Sequence, residues 1–332
     1  MFAGTHEPRA LHLYDCADVG ATLVQYGRAA GRPWRILPAR DTHGDGSDLM
    51  GGARRALGIA DWTARRWLRS VESDLLHVHF GTRLDVVARR PRKPFVVHYH
   101  GTDIRTFYYD PSQRDKIQWG ADNAAAVVYS TPDLKPHAEA ARSDAVYLPN
   151  PVNLAELPSW DPSTVPVVVF ASRWEGSKGG EQQLELLEEI RRAVGPQVRL
   201  QGLDWGDGAA AARERGAELV PRMPKPDYLR WLASAHCVVG QMSGSLGMSE
   251  LQALGIGVPL LANLKEGYYP GPLPVVTGEG KESLAAGVLR ILDDPLAAAG
   301  RLQPREWVET HHHPDVIVER LAGIYGGLAQ AG

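Results

Sequence analysis

Cysteine is scarce: Cys16 and Cys237 are the only two among 332 residues. Two thiols so far apart in sequence build neither a disulfide framework nor a four-cysteine zinc site, and a reducing compartment suits such a chain. Long apolar runs are missing as well. No stretch approaches the ~20 residues that a membrane-crossing helix needs. Positions 1–13 contain Glu7 and Arg9 and lack the apolar centre of a signal peptide, so the protein is expected to be cytoplasmic with no membrane span. Charge of one sign is not in excess, since 36 Lys and Arg against 39 Asp and Glu leave a net charge of −3. Without a basic block, nucleic acid and anionic membranes meet no broad attractive field. Several motifs are absent: G-x-G-x-x-G (although Gly255-Ile256-Gly257 starts like it), the P-loop, D-x-D, H-E-x-x-H and G-x-S-x-G. Hydride transfer, P-loop hydrolysis, a carboxylate-held metal beside a nucleotide and serine hydrolysis all lose ground.

What is present is ordinary globular material, 44% hydrophobic and 23% charged, in a length that suits about two domains. Short apolar runs alternate with helical periodicity, which predicts βα units, parallel sheets and helices on both faces. Residues 11–14, 34–37, 75–80, 95–98 and 125–129 read as one set of strands, and 165–171, 198–202, 217–220, 236–240 and 258–262 as another. Between the sets, Pro149, Pro151, Pro158, Pro162 and Pro166 forbid regular helix or central strand, which places a boundary there. The expected organisation is residues 1–155, residues 156–305, and closing helices over 306–332 that return to the first domain. Within 180–194, Leu184, Leu187, Ile190 and Val194 recur at three- and four-residue steps and define a packed helix face.

Three segments carry chemistry. Ser172-Arg173-Trp174-Glu175-Gly176-Ser177-Lys178-Gly179-Gly180 follows a strand and opens that helix, so Arg173, Lys178 and a helix N-terminus can meet one diphosphate. The alternative is a pair of solvated loop charges with Glu175 as partner. Farther on, Gly240 to Pro259 follows a buried strand and opens another helix. Its small residues Ser243, Gly244, Ser245 and Gly247 let backbone N–H groups approach an anion, unless the segment is only a capped turn with Glu250 as a first-turn charge. In the first half, His77 and His79, and His98 and His100, each lie two apart, so each pair shares a strand face. Zinc needs further ligands at recognisable spacing, and satisfied strand-end histidines are the simpler expectation. No metal site is expected. His100, just beyond a strand end, is where a catalytic imidazole would sit.

The order of these pieces resembles the GT-B fold glycosyltransferases, specifically the retaining, glycogen-synthase-like, family-4-like group of nucleotide-sugar enzymes, over nearly the whole chain. Asp18-Val19-Gly20-Ala21 is similar to the first Gly-rich loop of that group, His79 to its strand-end histidine, and His100-Gly101-Thr102-Asp103 to its active-site loop. Tyr147 to Asn153 resembles the segment closing its first domain, Arg173 with Lys178 its diphosphate grip, and Gly247 to Pro259 its donor-side helix start. The resemblance implies two Rossmann-like doubly wound domains facing a central cleft. It also implies transfer of a hexose from a nucleotide-diphosphate sugar, a UDP-sugar above others, with retention and without a metal or other cofactor. On that reading His100 and Asp103 are catalytic. Gly20, Arg173, Lys178, Met223, Gly244, Ser245, Leu246, Gly247, Met248, Glu250 and Gln252 bind the donor. The chain departs from the group at one point: where two glutamates are usual, it has Gly244 and Gln252, and a glycine offers no carboxylate to a sugar hydroxyl. A nucleotide-sugar epimerase, an inactive nucleotide-sugar binding protein and a metal-dependent hydrolase using His77, His79 and His100 remain alternatives. The acceptor is not encoded legibly in the loops 40–50 and 106–114 expected to meet it.

Overall fold

The structure, a computed structural model, describes residues 7–40, 49–88 and 92–331; positions 41–48 of the expected acceptor loop lie outside them. The chain divides into two compact units, Met1–Pro151 with Pro314–Gly332, and Val152–His313.

The first unit has β1 (Ala10–Leu13), α1 (Val19–Ala29), β2 (Arg35–Leu37), α2 (Leu49–Val71), β3 (Leu75–His79) and β4 (Phe95–Tyr99). It continues through α3 (Thr102–Arg105), α4 (Pro111–Asn123), β5 (Ala126–Tyr129), α5 (Lys135–Ala141) and β6 (Val146–Tyr147). Its six strands are all parallel, in the order β2-β1-β3-β4-β5-β6. The second unit has β7 (Val167–Phe170), α6 (Gly180–Val194), β8 (Arg199–Leu203), α7 (Ala209–Glu214), β9 (Glu218–Val220), α8 (Lys225–Ala233) and β10 (Cys237–Val239). Then come α9 (Met248–Ile256), β11 (Leu260–Leu261), β12 (Val275–Val276), α10 (Gly280–Asp293), α11 (Pro295–Leu302) and α12 (Pro304–His311), with α13 (Pro314–Ala331) returning to the first unit. This second sheet is also six-stranded and parallel, in the order β12-β11-β10-β7-β8-β9.

Parallel strands covered on both faces carry apolar residues almost continuously, and β7 and β10 do: Val167 to Phe170 and Cys237 to Val239 are all buried. Helix α6 buries Leu184, Leu187, Ile190 and Val194 as its spacing predicts, and stops where Gly195 turns to φ +69°, a conformation that favours glycine. Each sheet has one strand more than the sequence reading found. Both extra strands, β6 and β12, are two residues long, too short to show alternation. The closing helices also divide differently. Helix α12 stays in the second unit, where Trp307 and Val308 join the core, and only α13 packs on the first, against α1. The return therefore begins at Pro314 and not at residue 306.

Candidate active site

In parallel sheets, function gathers at the carboxyl ends of the strands, and both units follow this rule.

In the first unit, β1, β3 and β4 place His12, His77, His79 and His98 in the sheet with no solvent exposure. His100 follows β4, partly buried. These imidazoles and Tyr325 of α13 form one unbranched hydrogen-bonded chain. His98 Nδ1 meets His77 Nε2 at 3.2 Å, and His77 Nδ1 meets Tyr325 Oη at 2.6 Å. Tyr325 Oη meets His12 Nε2 at 3.2 Å, His12 Nδ1 meets His79 Nε2 at 3.0 Å, and His79 Nδ1 meets His100 Nε2 at 3.0 Å. A neutral imidazole or a phenol donates one proton and accepts one, so all five links must point the same way along the chain. One end is His98 Nε2, buried without a partner among the described residues; the other is His100 Nδ1. Whether His100 Nδ1 donates or accepts is thereby tied to the direction of the whole chain. Burial keeps the rings neutral: it lowers His12 and His100 to about 3, and desolvation reinforced by the neighbouring imidazoles holds His77, His79 and His98 well below the ordinary 6.5.

Two histidine triads, His12 with His77 and His79, and His79 with His98 and His100, have nitrogens within 4.8 Å of one another and so have the reach for an ion. An ion at either triad would take lone pairs that the chain uses, so the two arrangements are mutually exclusive. Tyr325→Phe keeps the ring and removes the central link. Two buried nitrogens, on His77 and His12, lose their partner, at an expected cost of about 2 kcal/mol. Urea denaturation measures it, and a change below ~0.5 kcal/mol would mean that the link is not made.

The carboxylate of Asp103 is committed to the backbone. Fully buried, its carboxylate accepts N–H groups from Gly81 at 2.8 Å, Gly101 at 2.9 Å, Ile104 at 3.0 Å and His100 at 3.1 Å. Burial raises its pKa, with the four amides pulling back. Through these four amides the residue holds the His100 loop in place. Gly20 likewise has a packing reason: a Cβ there would lie 2.9 Å from His79 Nε2, and its N–H goes to Asp15 Oδ1 at 2.8 Å. Asp15 accepts from Cys16 and Ala21 as well, filling the start of α1 from within the chain.

In the second unit, the loop after β7 and the turn after β10 come together. Lys178 Nζ donates to Gln241 Oε1 at 2.8 Å, Gln241 Nε2 donates to Ser245 O at 2.7 Å, and Met242 N donates to Lys178 O at 2.9 Å. Arg173 pairs with Glu175 at 2.6 Å and lies 4.9 Å from the ring of Trp205, over which Arg222 also sits at 4.3 Å. Glu250, buried, accepts from Ser172 Oγ at 2.6 Å, Gly247 N at 2.8 Å and Gln241 N at 3.0 Å. It knots the ends of β7 and β10 to the start of α9. The Leu246 amide is taken by Tyr269 Oη at 2.7 Å. Of the amides expected to meet an anion, those of Leu246 and Gly247 are thus taken within the chain, whereas those of Met248 and Ser249 lack a partner among the described residues. Ser243 Oγ is buried in the same turn, also unpartnered among the described residues. Gly244 adopts φ +85° and pairs with Leu264, a backbone role that favours glycine. Ser245 and Gln252 are buried, and Met223 is partly buried beside Arg222.

Sequence reasoning missed His12, Tyr325, Trp205, Arg222 and Gln241 as members of these networks. His12 lies opposite His77 in the paired strands and Tyr325 falls on the apolar stripe of α13, but neither pattern shows the hydrogen bonds they make; the others arrive by tertiary packing.

Residues 32–156 match the family model described as Glycosyltransferase Family 4. No curated protein matches in sequence. Among solved structures, a sucrose-phosphate synthase from Thermosynechococcus elongatus is 17% identical, with a TM-score of 0.69 over 98% of this chain and 100% of that one. HepE of Anabaena, solved in complex with UDP and glucose, is 14% identical, with a TM-score of 0.68 over 96% and 100% of the two chains. A Listeria monocytogenes protein named for UDP-N-acetylglucosamine 2-epimerase is 15% identical, with a TM-score of 0.60 over 97% of both chains. Two parallel six-stranded sheets with flanking helices, matched over nearly the full length by such proteins, give this chain the GT-B fold, and its residues 32–156 are similar to Glycosyltransferase Family 4.

Proposed function

We propose that the protein transfers a hexose from a nucleotide-diphosphate sugar, a UDP-sugar above others, to an acceptor, with retention at the anomeric carbon and without a metal ion. The observation carrying this reading is the meeting of the Arg173–Lys178 loop with the start of α9, through Lys178, Gln241 and Ser245. As the glycosidic bond breaks, negative charge grows on the β-phosphate. Fixed cations and aligned amides stabilise it most when water is excluded. Arg173, Lys178 and the amides of Met248 and Ser249 supply those donors, taking the part that a metal plays at other diphosphates. His100 is the imidazole assigned to the sugar, with Asp103 and His79 fixing its place.

Incubation with UDP-, GDP- and dTDP-sugars, with and without EDTA, and detection of free nucleoside diphosphate tests the reading. Release that survives EDTA supports it; conversion of the donor to another sugar nucleotide without release favours an epimerase. Arg173→Ala is expected to lower kcat by about a hundredfold or more, the loss of one charge-stabilising donor worth ~3 kcal/mol. Unchanged kcat would remove the diphosphate assignment.

A further inference from the structure

Every link of the histidine chain joins an Nδ1 to an Nε2, directly or through Tyr325 Oη, so its two directions differ in all five rings at once. In one direction His12, His77, His79, His98 and His100 each carry the proton on Nε2 and leave a lone pair on Nδ1. In the other each carries it on Nδ1. The choice reaches the site through His100 Nδ1, which is a lone pair in the first case and an N–H in the second. His98 Nε2, at the far end, is buried without a partner among the described residues. It stays unsatisfied either way, as a donor or as an acceptor, and so decides little.

Two arguments decide the direction. The Tyr325 hydroxyl lies 2.6 Å from His77 Nδ1 and 3.2 Å from His12 Nε2. Bonds donated by O–H are the shorter kind, about 2.7 Å against about 2.9 Å or more for N–H donors, so the hydroxyl donates to His77 and accepts from His12. The second argument is independent of length. Free histidine favours the Nε2–H tautomer, and this direction gives that tautomer to all five rings while the reverse gives it to none. The protons then run from His77 Nε2 to His98 Nδ1 on one side of Tyr325. On the other side His79 Nε2–H donates to His12 Nδ1 and His100 Nε2–H to His79 Nδ1.

We propose that this buried chain locks His100 as a hydrogen-bond acceptor at Nδ1, with Tyr325 as the positioning residue, and so selects a neutral hydroxyl at that point and rejects a phosphate or carboxylate oxygen. A hydroxyl brings its own proton. An anionic oxygen would set lone pair against lone pair, and accommodating it means reversing the whole chain. That the hydroxyl belongs to the transferred sugar rests on the transfer reading; the proton order does not.

Long-range ¹H–¹⁵N correlation spectra of the full chain, labelled with [¹⁵N]histidine and assigned with His100→Gln, test the proposal, because protonated and bare imidazole nitrogens resonate far apart. All five rings are expected as Nε2–H, with Nδ1 of His100 bare. Nδ1–H in these rings, or a His100 signal averaged between tautomers, overturns the proposal. Tyr325→Phe cuts the chain, so His100 should gain an Nδ1–H population. A folded variant with the parent's His100 signals would show that Tyr325 only packs, and the parent's own spectrum decides the proton order if the variant does not fold. Saturating UDP-glucose should move the His100 Nδ1 signal and leave that nitrogen bare, whereas a proton on it in the complex overturns the selection of a hydroxyl. No response of His100 to UDP-, GDP- or dTDP-sugars would overturn the sugar assignment while the proton order stands.

Discussion

Lowering the pH from 7 to 5.5 is expected to destabilise the protein, because four imidazoles folded away from water cannot readily take up protons that the unfolded chain binds. His12, His77, His79 and His98 have no solvent exposure and are held below 6.5 by burial, His12 to about 3. The sign follows from proton counting: between the folded and unfolded pKa values the unfolded state binds more protons, so stability rises with pH in that window and falls as pH drops below about 6.5. One pH unit below 6.5, a group held at about 3, as His12 is, contributes about 1 kcal/mol, and the other three act in the same direction. His100 is partly exposed and is not counted among them. Asp15 and Asp103, whose carboxyls burial raises, act in the opposite sense, but they are two against four. Urea midpoints at pH 7.0 and pH 5.5 measure the loss, and equal midpoints would mean that water reaches the histidine chain.

The sheets, the helix over 180–194 and the loops bearing His100, Arg173 and Lys178 were legible because each depends on short-range pattern. Buried parallel strands are continuous apolar runs, an amphipathic helix repeats its stripe, and strand-to-helix loops announce themselves by glycine. Roles were harder to read than places. Glu250 looks like a first-turn charge in the sequence, yet its carboxylate is buried under Ser172, Gln241 and Gly247. Two of those partners come from before the turn that Glu250 caps, and no spacing rule brings them there. Tyr325 reads as one member of an apolar stripe in α13. That its hydroxyl would join His77 to His12, about 250 and more than 300 positions earlier in the chain, depends on how α13 packs. Helix α2 was not read at all: Met50, Leu57, Trp67, Leu68 and Val71 are exposed while Arg66 and Ser70 are buried, so the usual correspondence between pattern and burial fails there.

Asp103→Ala is expected to destabilise the protein by ~4 kcal/mol or more and to reduce turnover with it, although Asp103 touches no reacting atom. Its carboxylate collects four N–H groups, those of Gly81, His100, Gly101 and Ile104, and each one left buried and unpaired costs about 1–3 kcal/mol. The same carboxylate restrains two unusual backbone turns. Phe80, at the end of β3, has φ +87°, and Gly101, after β4, has φ +146°; a non-glycine residue in that region is costly to hold. With Asp103 gone, both turns lose the acceptor that fixes them, and His100 loses its place between Asp103 and His79. Asp103→Asn separates charge from geometry, since the amide keeps one accepting oxygen but turns an N–H₂ group toward amides that also donate. It is expected to fall between the parent and the alanine variant in urea midpoint. If the alanine variant unfolds at the parent's midpoint while turnover is lost, Asp103 acts on the substrate directly, and its assignment as a positioning residue is wrong.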